Sequence, residues 1–194
     1  ARLAQEEEEA RLAQKEATSV ADILNAQALV AAREAQIDLT RVLTEAEKLL
    51  KLENTEDGKK LIKEIVKEIT KRRGIAVASV DKAIEESKKV GVKITEALTK
   101  TKKMAKESEW FFNKLNIDDY YQNEWDTWHG AAVYFRAALE EVVKEADKAV
   151  KAADEAVKAA RSAEEASQLE EAEREGPILP LHILKKYYKE EEKK

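Results

Sequence analysis

From about Arg2 to Leu52 the chain runs without proline or glycine, and its apolar positions fall in steps of three and four: Val20, Leu24, Ala28, Ala31, Ala35, Leu39, Val42, Ala46 and Leu49. That spacing predicts one face of an α-helix, and Ile23, Val30 and Ile37 widen the stripe at sevenfold spacing. The stretch ENTEDG, Glu53 to Gly58, then predicts a turn, because Asn, Asp and Gly end one helix and admit the next. A second stripe follows through Ile62, Ile65, Ile69, Ala76, Val80, Ala83, Ile94, Leu98, Thr101 and Ala105, closing on Trp110, Phe111 and Phe112. Gly74 and Gly91 interrupt it, each at about 1 kcal/mol relative to alanine. Each is a candidate kink or local break, and the β-branched residues Ile75, Val77 and Val80 favour Gly74 of the two.

NIDDYYQN, Asn116 to Asn123, supplies the next reversal, with Asp118 or Asp119 as the expected N-cap of the third helix. That helix carries the clearest pattern. Every seventh residue from Trp125 reads Trp125, Ala132, Leu139, Ala146, Ala153, Ala160, and from Trp128 reads Trp128, Phe135, Val142, Ala149, Ala156, Ala163. Unbroken apolar heptads predict a coiled-coil-like seam. The expected fold is therefore all-α: an elongated up-down-up three-helix bundle over 1–175, with helices at about 2–52, 59–113 and 119–175. Two short turns would leave the first and third helices parallel. Large residues on one would then face small ones on another: the aromatic start of helix three beside the alanines of helix one, and the alanine seam beside Leu49, Leu50 and Leu52. A helix of 50 residues would extend roughly 75 Å.

Gly176 and Pro177 are expected to stop the third helix. In the tail 176–194, Leu179, Leu181, Ile183, Leu184, Tyr187 and Tyr188 form an apolar patch. It reads as a strap or short helix folded over the bundle; a partner-binding segment or a stalk are the alternatives.

Composition agrees with long helices. The chain holds 31 Ala and 31 Glu among 194 residues, with five Gly and two Pro. Forty acidic residues against 35 basic give a net charge of −5, the mixed exterior of a solvated bundle. The runs Lys71–Arg73 and Lys102–Lys103 are too short, and too diluted by acids, for a nucleic-acid partner. No apolar run approaches the roughly 20 residues of a membrane span, no signal peptide is read at the start, and no cysteine is present.

Candidate chemistry is sparse. There is no cysteine nucleophile, no glycine-rich phosphate loop and no nucleophile elbow, so no enzymatic activity and no cofactor are expected. Asp126 and His129 lie three apart, a spacing bundle metal sites use. A second pair of ligands would have to come from another helix, with His182 the one other imidazole, so a satisfied or exposed histidine is the expectation. The densest feature is aromatic (Trp110, Phe111, Phe112, Tyr120, Tyr121, Trp125, Trp128, Tyr134 and Phe135), at the expected wide end of the core. Any partner-binding site is placed there, on Trp110, Phe111, Asp118, Tyr120, Tyr121, Trp125 and Trp128.

The stretch VKEADKAVKAADEAVKAARSAEEASQLEEAERE and the opening ARLAQEEEEARLAQKEA resemble the glutamic acid/alanine-rich surface proteins of African trypanosomes. The resemblance implies a helical bundle similar to variant surface glycoproteins, held on the extracellular face of the plasma membrane by a glycosylphosphatidylinositol anchor. It also implies dense association with neighbouring coat molecules, or contact with host or vector surface molecules, in a shielding layer. No anchor signal stands in these residues, so processing or trimming would have removed it. The alternatives are a binding or receptor module that uses the aromatic end, and a de novo designed helical bundle. Against design stand the mid-helix glycines, the irregular tail and the paired aromatics of the NIDDYYQNEWDTWHG turn.

Overall fold

The structure is a computed structural model that describes residues 2–16 and 20–174, with the backbone alone at residues 10 and 12–16. The expected strap at 176–194 lies outside the described residues. Among the described residues six helices follow one another: α1 (Arg2–Glu16), α2 (Val20–Leu50), α3 (Glu56–Lys88), α4 (Val92–Leu115), α5 (Asp118–Asn123) and α6 (Trp125–Arg174). The all-α expectation holds, with no strand among the described residues. The chain divides into two compact units, residues 1–157 and 158–194. Of the second unit, the described part continues α6 to Arg174, with Ser162 Oγ donating to the Lys158 carbonyl at 3.1 Å.

The first unit departs from the expected three-helix arrangement. The segment read as one helix over 59–113 is two helices, which double back at Lys89–Gly91. Val90 and Gly91 donate backbone N–H groups to the Ser87 carbonyl at 2.9 and 3.1 Å, tightening the end of α3. The Thr95 hydroxyl reaches back to the Gly91 carbonyl at 3.1 Å and meets the buried Ser87 hydroxyl at 2.9 Å, locking the two arms together. Gly74, the favoured candidate for a break, lies inside an unbroken α3. Its β-branched neighbours Ile75 and Val77 are both 46% exposed, so they burden the outer face and leave the seam intact.

Cross-helix contacts fix every direction in this unit. Between α2 and α3, Glu34 pairs with Lys82 at 3.9 Å and Ser79 donates to Asp38. Between α3 and α4, Asp81 pairs with Lys102 at 2.8 Å, and Arg73 lies 4.4 Å over the Phe112 ring. Between α4 and α6, Lys93 pairs with Glu155 at 3.8 Å and Lys100 with Glu145 at 3.7 Å, while Phe112 meets Phe135 at 5.5 Å between ring centroids. Between α6 and α2, Gln36 donates to Asp147 at 3.0 Å and Arg136 pairs with Glu47 at 3.7 Å. In each pair one number rises as the other falls. All four neighbouring pairs are antiparallel, so residues 20–157 form an up-down-up-down four-helix bundle.

The first and third long segments, expected parallel, thus run antiparallel. The extra reversal at Gly91 adds a fourth layer and flips α6. Large residues therefore meet large ones: Leu49, Ile62 and Val66 share the end that holds Trp128, Phe135 and Phe112, all buried. At the other end the fully or nearly buried alanines 28, 31, 32 and 35 of α2 stand level with Ala146, Ala149, Ala152 and Ala153 of α6. Small faces on both helices let the backbones approach, and Ile94 and Leu98 of α4 supply bulk at that level.

The opening segment is also not one rod with α2. Glu6 Oε2 accepts from Arg33 at 2.8 Å, although residues 27 apart on a straight helix would stand about 40 Å apart. α1 lies against the outside of α2, and among its described side chains none is buried.

The turn between α2 and α3 is as the sequence predicts. Thr55 caps α3, its hydroxyl accepting from Gly58 N–H at 3.0 Å, and Thr55 N–H donates to the Glu53 carbonyl at 2.8 Å. A Cβ on Gly58 would stand 2.1 Å from the Glu53 carbonyl oxygen, so the close approach demands glycine. Asp118 and Asp119 are the first turn of the short α5, whose cap position is Ile117, and they do not cap the third long helix. Trp128 N–H instead closes the first turn of α6 on the Glu124 carbonyl at 3.1 Å.

Candidate functional site: the aromatic end

The C-terminal turns of α4, the short α5 and the first turns of α6 bring the aromatic residues to one end of the bundle. Of the residues expected to bind a partner, the structure makes two groups. Trp128 and Tyr121 are buried at 0% and 2% exposure and belong to the core. Trp128 donates its indole N–H to the Leu115 carbonyl at 3.2 Å, filling one of the carbonyls that a helix C-terminus leaves unpaired. Tyr121 donates its hydroxyl to Asp118. Burial first, then the bond to Asp118 and its negative charge, push the Tyr121 phenol up to about 12. Trp125 is half-buried against Trp128 at 4.9 Å between centroids, and Tyr120 is half-buried against the core.

The second group faces outward. Trp110 is 62% exposed and meets Phe111 edge-on at 5.0 Å. Phe111 stacks on Tyr134 at 5.7 Å with an interplanar angle of 22°, and Tyr134 is itself 63% exposed. Lys114 Nζ sits 4.9 Å over the Trp110 ring. The result is a row, Trp110–Phe111–Tyr134, that bridges α4 and α6 on the outside, with Val133 (42%) beside Tyr134. Each ring contact is worth about 0.5–1.5 kcal/mol beyond area burial, so the row is held in shape before anything touches it. Asp118 belongs to the inner group through its bond to Tyr121, although it is exposed.

Sequence reasoning put Trp110, Phe111 and Tyr134 in the aromatic cluster, named only the first two among the partner-binding residues, and left out Lys114. The signal was there: Tyr134 stands outside the Trp128–Phe135 heptad series, so a large aromatic there points away from the seam. Lys114, four residues after Trp110, falls on the same helix face.

Polar groups elsewhere serve the fold. Asp147 is raised by burial, but the bonds from Lys151 and Gln36 and the charges of Lys151 and Arg33 outweigh this and hold it below the usual carboxylate range. The buried hydroxyls of Thr101 and Ser108 donate to the Ala97 and Ala105 carbonyls at 2.7 and 2.5 Å. His129 is half-buried, His182 lies outside the described residues, and among the described residues no group of three or more His, Asp or Glu stands close enough to hold a metal ion. Among them, too, no helix is long and apolar enough to cross a membrane. Compared with protein families, with curated proteins and with solved structures, the chain matches none.

Proposed function

We propose that the chain is a non-enzymatic coat protein, a helical bundle that stands among copies of itself in a shielding layer and touches its neighbours through the row Trp110–Phe111–Tyr134. The observation that carries this reading is the exposure of Trp110 and Tyr134, at 62% and 63%, within a fixed row rimmed by charge. A self-sufficient bundle has no need of pre-ordered aromatics on its outer face, whereas Trp and Tyr are the side chains that anchor protein contacts. The remaining exterior supports the same reading. It is laced with short-range pairs such as Arg72–Glu68 at 3.0 Å and Lys88–Glu85 at 2.7 Å, which add little stability but keep crowded surfaces soluble. Placement on an extracellular membrane face through a glycosylphosphatidylinositol anchor rests on the resemblance of the Glu/Ala-rich stretches alone.

The test is sedimentation equilibrium over rising concentration. The weight-average mass is expected to climb above the 21.9 kDa of one chain, and the double variant Trp110→Ser/Tyr134→Ser to remain at that mass. A wild-type mass that stays at one chain at every concentration overturns neighbour contact. The same exposed row favours a second reading, a receptor for a host or vector surface protein. Saturable quenching of Trp110 fluorescence by such a protein, with the mass unmoved, would select it.

A further inference from the structure

Next to Phe112, on the inner side of the aromatic end, the bundle contains a cleft of about 320 Å³ that opens between α3 and α4. Its floor is apolar and reaches all the way across the unit, to Leu39 and Val42 of α2 and Leu139 of α6, each buried. Its walls are thinned by small residues, Ala76 on α3 and Ala105 and Ser108 on α4. The Ser108 hydroxyl is turned back onto the Ala105 carbonyl, so it presents no unpaired donor to the interior. A volume of this size lies at the lower end of the about 300–1,000 Å³ typical of small-ligand pockets, and its apolar floor matches an alkyl chain.

The rim is cationic. Arg73, Lys102 and Lys106 line it against a single carboxylate, Glu109. Lys102 is engaged by Asp81 at 2.8 Å. Arg73 stacks over Phe112 at 4.4 Å; Glu109 acts on its charge, yet the two form no ion pair among the described residues. Burial lowers the Arg73 pKa from its usual value, and the charge of Glu109 offsets part of that effect. A planar, half-buried guanidinium at the mouth of an apolar slot matches a carboxylate joined to an alkyl chain.

We propose that this cleft binds a medium-chain fatty carboxylate, with the alkyl chain between α3 and α4 and the carboxylate on Arg73 and Lys106. The site is independent of the exposed aromatic row, and its occupancy does not depend on the coat reading.

Calorimetric titration of the full chain with decanoate, below the concentration at which it self-associates, tests this. One equivalent is expected to bind saturably. Arg73→Gln should weaken decanoate by about tenfold or more, the loss expected for a hydrogen bond to a charged group, while leaving decanol binding unchanged. Ala105→Leu, which fills the slot, should abolish binding of both probes; helicity by circular dichroism checks that this variant is folded, and Ala76→Leu serves in its place if it is not. The absence of saturable heat with decanoate overturns the proposal. So does equal decanoate affinity in Arg73→Gln, or in a folded slot-filling variant.

Discussion

Trp128 donates its indole N–H to the main-chain carbonyl of Leu115 at 3.2 Å, and both residues are fully buried. One side chain thus closes the C-terminus of α4 and starts the seam of α6. Trp128→Phe keeps most of the apolar contact but leaves that carbonyl unpaired in a buried place, so unfolding by denaturant should show a loss of about 1–3 kcal/mol. Trp128→Ala should lose about 3–5 kcal/mol. A Trp128→Phe change below about 0.5 kcal/mol, the size of an ordinary surface substitution, would show that the bond contributes nothing.

The glycines should separate sharply under substitution by alanine. Gly58→Ala forces a Cβ to within 2.1 Å of the Glu53 carbonyl oxygen, and should destabilise by about 2 kcal/mol or more. Gly74 lies inside α3 with no atom within 4 Å of an added Cβ, so Gly74→Ala should stabilise by about 0.5–1 kcal/mol. Gly91 has an extended φ of 176° and equally open surroundings; Gly91→Ala should stay within about 0.5 kcal/mol of the parent. Thermal melts of the three variants check the ranking. A marked loss at Gly91 would mean that the hairpin needs the glycine itself rather than the Ser87–Thr95 clasp.

Two ionisable groups set limits on stability with pH. Asp147 titrates below its unfolded value, so its contribution is complete above about pH 4 and is lost as the pH falls through the depressed folded value. Asp147→Asn should flatten that acid limb of the melting temperature. Tyr121 titrates above its unfolded value. Its contribution is complete below about pH 10 and is lost as the pH rises toward its folded value of about 12. Because lysines titrate in the same range, the comparison is with Tyr121→Phe, which should lose less stability than the parent across the alkaline limb. Identical alkaline limbs would contradict the role given to the phenol.

The seam of α6 was legible in its first half, where Trp128, Phe135, Val142 and Ala149 are all fully buried as the heptads require, whereas Ala156 and Ala160 are half-buried and Ala163 is exposed. The hairpin at Gly91 was not legible. Its two arms carry the same three-and-four spacing, with Ala83 and Ser87 buried on one side and Ile94 and Leu98 on the other. A straight helix and a folded one write the same pattern, and only Val90–Gly91–Val92 punctuates it. Size matching misled for a related reason. Alanine faces can sit opposite large side chains or approach each other closely, and both arrangements fill space. In the aromatic end, periodicity separates inner rings from outer ones: Trp128 lies on the seam, while Tyr134 lies off it and is exposed. The cation over Trp110 and the stacking of Phe111 on Tyr134 depend on how two helices meet, which spacing within one helix cannot convey.

The antiparallel run of α2 and α6 underlies the whole arrangement, and the chain has no cysteine to interfere with site-directed labels. Nitroxides on Glu47→Cys/Arg136→Cys and on Glu47→Cys/Glu155→Cys, read by pulsed electron–electron resonance, measure it directly. The four-helix order predicts that the first pair, in ionic contact at 3.7 Å, is the nearer. The second pair should be separated by about 30 Å, because nineteen helical residues displace it about 28 Å along the axis beside a lateral spacing of about 10 Å. The reverse order, with residue 155 beside residue 47, would contradict it.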